Sequence, residues 1–318
     1  MYGNNPLTPQ EVAEILKISK STVYELIKRK EIKSYKVGKK LRIDPSDIES
    51  YKNRNGEKQQ SLTMQNTYTD SSLVFGRNNS MPEDKTFIIC GQDVALDILG
   101  RYLSSHPNGV RALRSYEGSY NGLYLLYRGE VQVATAHMWD GKTGVYNVPF
   151  VERMLPGIPS IIYRIAGRMQ GFYVPKGNPK SIKSWSDLHR PDITIINREK
   201  GSGTRILLDE HLKILGINGQ KIKGYTREST SHHAIASTVA RGGADLGIGN
   251  EKACLQVQDI EFIPLQKEQY DLIIKKEDCG KPVIKAIIDI INSDIFKMEL
   301  QGLGGYDISE SGNKIAET

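Results

Sequence analysis

The spacing of apolar positions changes character twice along the chain. In the first fifty or so residues it is helical and comes in short runs. Val12, Ala13, Ile15 and Leu16 share one face, and Val23, Leu26 and Ile27 share another. Thr8-Pro9-Gln10-Glu11 has the form of a capping box with proline at the first helical position, which predicts a helix start. Ser19 is placed to cap a second helix, from Lys20 to about Arg29, after a connection of only a few residues. Two short alternating runs flank Gly38 in 35-YKVGKKLRI-43 and predict a hairpin. Asp44-Pro45-Ser46-Asp47 then predicts a third helix, to about Tyr51.

Apolar positions thin out next. Residues 55–84 are rich in Asn, Gln, Ser and Lys and read as a linker, with Leu73, Val74 and Phe75 as a small apolar island. From Lys85 the period alternates between strand and helix. Strands are expected at 86–90, around 109–116, and at 131–137, 192–197 and 244–250. Helices are expected at 94–103, 119–129, 232–243 and 281–303. The stretch 159–177 reads as longer strands crossing between two lobes. The pattern predicts an α/β fold with helices on both sides of mostly parallel sheets. The expected domains are 1–54, a small helical DNA-binding module with a wing, a linker over 55–84, and a ligand domain over 85–318.

Composition narrows the class. The 318 residues are 38% hydrophobic and 25% charged, as in ordinary soluble domains. No apolar run approaches a membrane span, and the start, MYGNNPLTPQ, has no secretory pattern. Cys90, Cys254 and Cys279 lie far apart, with neither zinc spacing nor a disulfide framework. A cytoplasmic protein without metal or cofactor is expected. The net charge of +6 is unevenly placed: the first 60 residues carry 13 Lys/Arg against 8 Asp/Glu, and the rest carry 30 against 29. A local basic excess is the electrostatic footprint of nucleic-acid binding.

Two short helices joined closely form a helix-turn-helix, whose second helix can enter a major groove. Lys20, Ser21, Thr22, Tyr24 and Lys28 are the candidates on that helix, with Ser21, Thr22 and Tyr24 nearest the bases. Lys39, Lys40 and Arg42 on the hairpin are candidates for phosphate contacts.

The candidate ligand site comes from 198-REKGSGTRILLDEHL-212, which reads as strand, glycine loop and helix. Such a helix start offers unpaired N–H donors and the positive end of a dipole to an anion. Gly91-Gln92-Asp93 and Gly118-Ser119 repeat the theme at two other strand ends. In open α/β sheets ligands bind outside the carboxyl ends of strands. Gln92, Asp93, Ser119, His137, Ser202, Thr204 and Arg205 are therefore the candidates, with Ser119, Ser202 and Thr204 foremost. Competing readings stand beside them. Ser202 also fits a simple helix cap, His137 a structural histidine, and Arg205 a partner of Asp209 one turn on. Trp139 fits the cleft mouth or a packed aromatic. His232 and His233 are expected to face different sides of their helix, so that only one points to a cleft. Ser119 and Ser202 lack a recognisable His/Asp motif, and GSGTR lacks the lysine of a phosphate-binding P-loop, so no enzyme is expected.

Residues 6–53, with LTPQEVAEILKISKSTVYELIKRKEI, VGKKLRI and DIESY, resemble the winged helix-turn-helix of the excisionase and MerR-like families. The blocks GSYNGL, HMWDGKTGVYNVPFV, QGFYVPKGNPKSIKSWSDL, INREKGSGTRILLDEHL and ARGGADLGIG, in order from 86 to about 275, resemble a type II periplasmic-binding-protein domain. More narrowly they are similar to its cytoplasmic version, fused to a helix-turn-helix and known as molybdate-binding regulators. That resemblance implies two lobes joined by crossing strands, and a cleft role for His137. It also implies a regulator that binds double-stranded operator DNA and responds to a small oxyanion, molybdate or tungstate. A homodimer is expected because one such short module gives weak specificity and half-site pairing is the usual remedy. The alternatives are a regulator of another small anion or carboxylate metabolite, or an anion-scavenging protein with an architectural, excisionase-like DNA module.

Overall fold

The computed structural model describes residues 6–28, 32–38, 40–48, 51 and 86–318. The chain divides into two compact units, Met1–Ser80 and Met81–Thr318.

In the first unit, helix Pro9–Leu16 begins at Thr8. The Thr8 side chain accepts from the Glu11 N–H, and the Glu11 carboxylate accepts from the Thr8 N–H. The helix ends at Lys17, which adopts the left-handed conformation (φ 54°) and turns the chain into the second helix, Lys20–Lys28. Strands β1 (Tyr35–Val37) and β2 (Lys40–Arg42) pair antiparallel, with Val37 opposite Lys40. Gly38 takes the positive φ (63°) that this tight turn requires. Leu7 bridges Ile43, closing the hairpin onto the start of the chain. Residues 45–48 are helical. Val12, Ala13, Val23, Leu26, Ile32, Ile43 and Ile48 form the core; of the apolar positions that the spacing singled out on the first two helices, Ile15, Leu16 and Ile27 are only partly buried against it.

The second unit is built on a mixed nine-stranded sheet. Its strands are β3 (Ile88–Cys90), β4 (Leu113–Ser115), β5 (Val133–Ala136), β6 (Ser160–Pro175), β7 (Ile195–Arg198), β8 (Glu228–Ser229), β9 (Leu246–Asn250), β10 (Ile260–Lys275) and β11 (Lys314–Glu317). They run in the order β4-β3-β5-β10-β6-β9-β7-β8, with β11 pairing β6. Two parallel groups result, β4-β3-β5 and β9-β7-β8. The long antiparallel strands β6 and β10 join them. The end of β10 pairs β5 in one lobe, and the end of β6 pairs β9 in the other. Register shifts at Pro264/Gln266 and Tyr270/Asp271 interrupt β10 as it crosses.

Each lobe packs helices on both faces of its sheet. In the first lobe, helix Ala95–Ser105 and the terminal helices Pro282–Asn292 and Asp294–Leu303 cover one side. Helices Ser119–Arg128 and Val148–Met154 cover the other. In the second lobe, helices Gly203–Ile214 and His232–Ala240 take opposite sides. This is the α/β, two-lobed, periplasmic-binding-protein-like fold behind a helix-turn-helix that the sequence predicted. The sequence reading had no strand at 260–275 or 314–317. The first contains Pro264 and two register shifts, which break its alternation.

Candidate functional site

Between the lobes lies a cavity of about 580 Å³. The helix starts that line it stand at the carboxyl ends of parallel strands. Ser119 opens helix Ser119–Arg128 behind the cap residue Gly118. Ser202 caps helix Gly203–Ile214, and Ser231 caps helix His232–Ala240. First-turn N–H groups have no acceptor within their own helix, so each start is a weak positive pole.

The lobes touch directly. The Tyr120 N–H donates to the Gly201 carbonyl at 2.9 Å, and the Gly141 N–H to the Glu210 carboxylate at 3.2 Å. Gln92 accepts from the Arg198 guanidinium at 2.6 Å and donates to Glu199 at 3.4 Å. A Cβ on Gly203 would fall 2.6 Å from the His137 ring and carbonyl, so only glycine lets this loop approach the opposite lobe. Further out, His211 is stacked between Trp139 (4.6 Å) and Trp185 (4.1 Å), tying residues of both lobes together. The lobes are closed on one another.

A buried charge network forms the floor. Arg168 lies 2.5 Å from both Asp93 and Glu268, and its guanidinium covers the Tyr270 ring at 4.1 Å. Asp93 also accepts from the Tyr306 hydroxyl (2.6 Å) and the Ala95 N–H (2.8 Å). Glu268 also bonds His137 Nδ1 and Gln170, both at 2.7 Å. Burial alone would raise both carboxyls, but the Arg168 charge and these donors hold them below their ordinary values. They are ionised and held by Arg168 and these donors, and Asp93 also attracts the cleft's other cation, Lys252. Lys252 Nζ, on the cleft wall, is buried with no hydrogen-bond partner and lies 4.7 Å from the centre of the Tyr306 ring. His232 Nδ1 is likewise buried and unpartnered, and burial, then the Arg198 and Arg168 charges, push its pKa well down. His232 therefore stands in the cleft as a neutral imidazole.

A model of the PBP superfamily domain matches residues 100–292, and one of a helix-turn-helix domain matches residues 6–56. The chain belongs to the PBP superfamily. It is 41% identical over its whole length, and over the whole length of the relative, to the uncharacterized protein YvgK of Bacillus subtilis (strain 168). Over 35% of its length it is 65% identical to 99% of an uncharacterized Clostridium pasteurianum protein encoded in the 5′ region of a 2Fe-2S ferredoxin gene. Among solved structures it is similar to a Clostridium perfringens protein assigned as a phosphate ABC transporter substrate-binding protein, with bound phosphate. The TM-score is 0.52 and the identity 16%, over 70% of this chain and 98% of that one. It is also similar to the sulfate-binding protein SubI of Mycobacterium tuberculosis H37Rv, with TM-score 0.51 and 14% identity over 70% of this chain and 85% of that one. These likenesses bear on fold.

Within the PBP domain, Gln92, Asp93, Ser119, His137 and Ser202 line the cleft. Ser119 Oγ accepts from the His137 N–H at 3.2 Å, which leaves its own proton to donate. The Ser202 hydroxyl is spent: it donates to the Glu199 carbonyl (2.9 Å) and accepts from the Arg205 N–H (3.2 Å). The structure does not bring Thr204 or Arg205 to the cleft wall. Thr204 Oγ1 is buried without a partner. Arg205 bonds Asp209 (3.1 Å) and Glu228 (3.0 Å) beneath Tyr225, so its charge is neutralised within its own lobe. Asp245 accepts from the Thr194 N–H at 2.8 Å, away from the cleft. His232 and His233 both line the cleft, contrary to the helical-face argument, because both sit in the first turn, where the helix end itself is presented.

Sequence reasoning missed Arg168, Glu268 and Lys252. The first two lie on the crossing strands, and the third follows β9, none of them at a glycine-marked helix start. In the helix-turn-helix, Lys20, Ser21, Thr22, Tyr24 and Lys28 are all exposed on the second helix. Ser19 Oγ bonds the Ser21 and Thr22 hydroxyls at 2.7 Å and accepts from the Thr22 N–H, fixing the helix start. Lys40 is exposed and Arg42 half-buried on the hairpin, while Lys39 lies outside the described residues.

Proposed function

We propose that this chain is a DNA-binding regulator whose PBP domain takes a small anion into the interlobe cleft and thereby alters DNA binding by the helix-turn-helix. The observation that carries this reading is the chemistry of the cleft. Helix starts at Ser119, Ser202 and Ser231 line it, its buried carboxylates Asp93 and Glu268 share Arg168, and Lys252 has no hydrogen-bond partner. An anion gains the unpaired N–H groups and the ammonium without displacing an existing salt bridge. Solved relatives of the same fold named for phosphate and sulfate belong to the same ligand class. Among inorganic anions, molybdate or tungstate is the one that the sequence resemblance favours. The role is binding without catalysis, in the cytoplasm. A homodimer pairing two half-sites supplies the specificity that one short module lacks.

Transmission requires that the anion bind two states of the protein unequally, because a ligand with equal affinity for both shifts nothing. Calorimetry on the full chain with molybdate, tungstate, sulfate, phosphate and small carboxylates tests the cleft. Saturable heat from at least one anion, lost in Lys252→Met, is expected. Saturable heat from none of them removes the sensor from the account. Binding of phosphate or a carboxylate without molybdate or tungstate removes only the finer ligand assignment.

A further inference from the structure

The size and walls of the cleft carry the proposed function further. A cavity of about 580 Å³ falls among the roughly 300–1,000 Å³ clefts that hold drug-sized molecules. It equals about twenty water volumes at roughly 30 Å³ each. A lone tetrahedral oxyanion fills a small part of that space. The remainder is not a polar antechamber: Val94, Ala253, Tyr270 and Leu303 form part of its wall, together with Lys252. Val94 and Leu303 are exposed apolar side chains that meet at this cleft from separate helical segments of the first lobe.

Resting on the anion-binding reading, we propose that the natural ligand is an organic anion, with a carboxylate or phosphate headgroup held by Lys252 and the Ser119 helix start and an apolar body lying against Val94 and Leu303. Polar recognition alone would leave those walls and most of the volume to water. An apolar body displaces that water and gains affinity in proportion to the area it buries. The paired state of Asp93 and Glu268 fits the same ligand, because neither carboxylate is free to capture a cationic group in its place, and Glu117, which also lines the cleft, accepts from the Asn121 side chain at 3.1 Å.

The test is a graded series on the full chain: acetate, butyrate, hexanoate and octanoate, with octylamine, phosphate and molybdate alongside, read by calorimetry. Affinity should rise by about fourfold for each methylene that becomes buried, so that octanoate binds tighter than acetate, phosphate or molybdate. Lys252→Met should weaken every carboxylate. Leu303→Asp should flatten the series, and Leu303 is exposed enough for that substitution to leave the fold intact; a melting curve without ligand checks both variants. A flat series in a protein that binds phosphate or molybdate overturns the organic body and leaves the anion cleft standing. A rise undiminished in Leu303→Asp also overturns it, by placing the body elsewhere. Octylamine binding as well as octanoate, or binding by no member, overturns the anion reading itself.

Discussion

Replacing Arg168 by leucine would leave two buried carboxylates, Asp93 and Glu268, without the guanidinium that now stands 2.5 Å from each. Removing one partner of a buried ion pair costs about 3–5 kcal/mol, because the other charge stays buried and uncompensated. Two carboxylates are stranded here, but Asp93 keeps Tyr306 and the Ala95 N–H, and Glu268 keeps His137 and Gln170. A loss near that range is expected, not twice it. The chain has two tryptophans, Trp139 and Trp185, both in the second unit, so urea unfolding followed by tryptophan emission reports that unit alone. The pH dependence supplies a second check. In the native protein both carboxyls titrate below their ordinary values. Their contribution is therefore present above the unfolded range, near pH 4, and lost as pH falls through the folded values. Without Arg168, burial dominates and raises both. The variant's deficit should then shrink between pH 7 and pH 5, as the stranded groups take up protons. Adding Asp93→Asn and Glu268→Gln should restore most of the stability. A loss below about 1 kcal/mol, or a deficit identical at pH 7 and pH 5, would refute the network as drawn.

Substituting Lys40 and Arg42 by alanine should weaken binding to every duplex and lower the slope of log K against log salt by about 0.9 per lost phosphate contact; an unchanged slope removes the wing from the DNA interface. Thr22→Ala and Tyr24→Ala should instead change which sequences are selected from a random duplex pool. A fragment of residues 81–318 should unfold in one cooperative transition and keep the anion affinity of the full chain, since its cores and its cleft are internal to it; a non-cooperative melt would contradict this. Trp139 reaches His211 across the lobes, so saturating the cleft should alter tryptophan emission, and Trp139→Phe should remove most of the change; identical emission with and without bound anion would mean that the lobes do not move.

The parts of the fold that sequence made legible are those with a regular period or a local device. The Thr8–Glu11 capping box, the apolar faces of the first two helices and the glycine-marked turn at Gly38 all reappear in the structure. The helix starts at Ser119 and Ser202 were legible because glycine and serine mark them locally. The buried network was not, since Arg168, Glu268 and Asp93 are separated by up to 175 residues and meet only once β6 and β10 pair. Nor was β10 itself, whose period is broken by its bulges. Arg205 illustrates a further limit. Its position in GSGTR suits an anion, but Asp209, Glu228 and Tyr225 surround it, and only Asp209 is near enough in sequence to foresee. Lys252 carried no local signal, because its significance lies in the absence of a partner.

The central claim is that occupancy of the cleft changes DNA binding, and the direct measurement is the affinity of the full chain for a duplex it has itself selected from a random pool, by fluorescence anisotropy, with and without an anion that calorimetry shows to saturate the cleft. A change in Kd within the roughly 5–150-fold span of allosteric coupling, absent in Lys252→Met, is the predicted result. Identical affinity with the cleft full and empty would contradict the account.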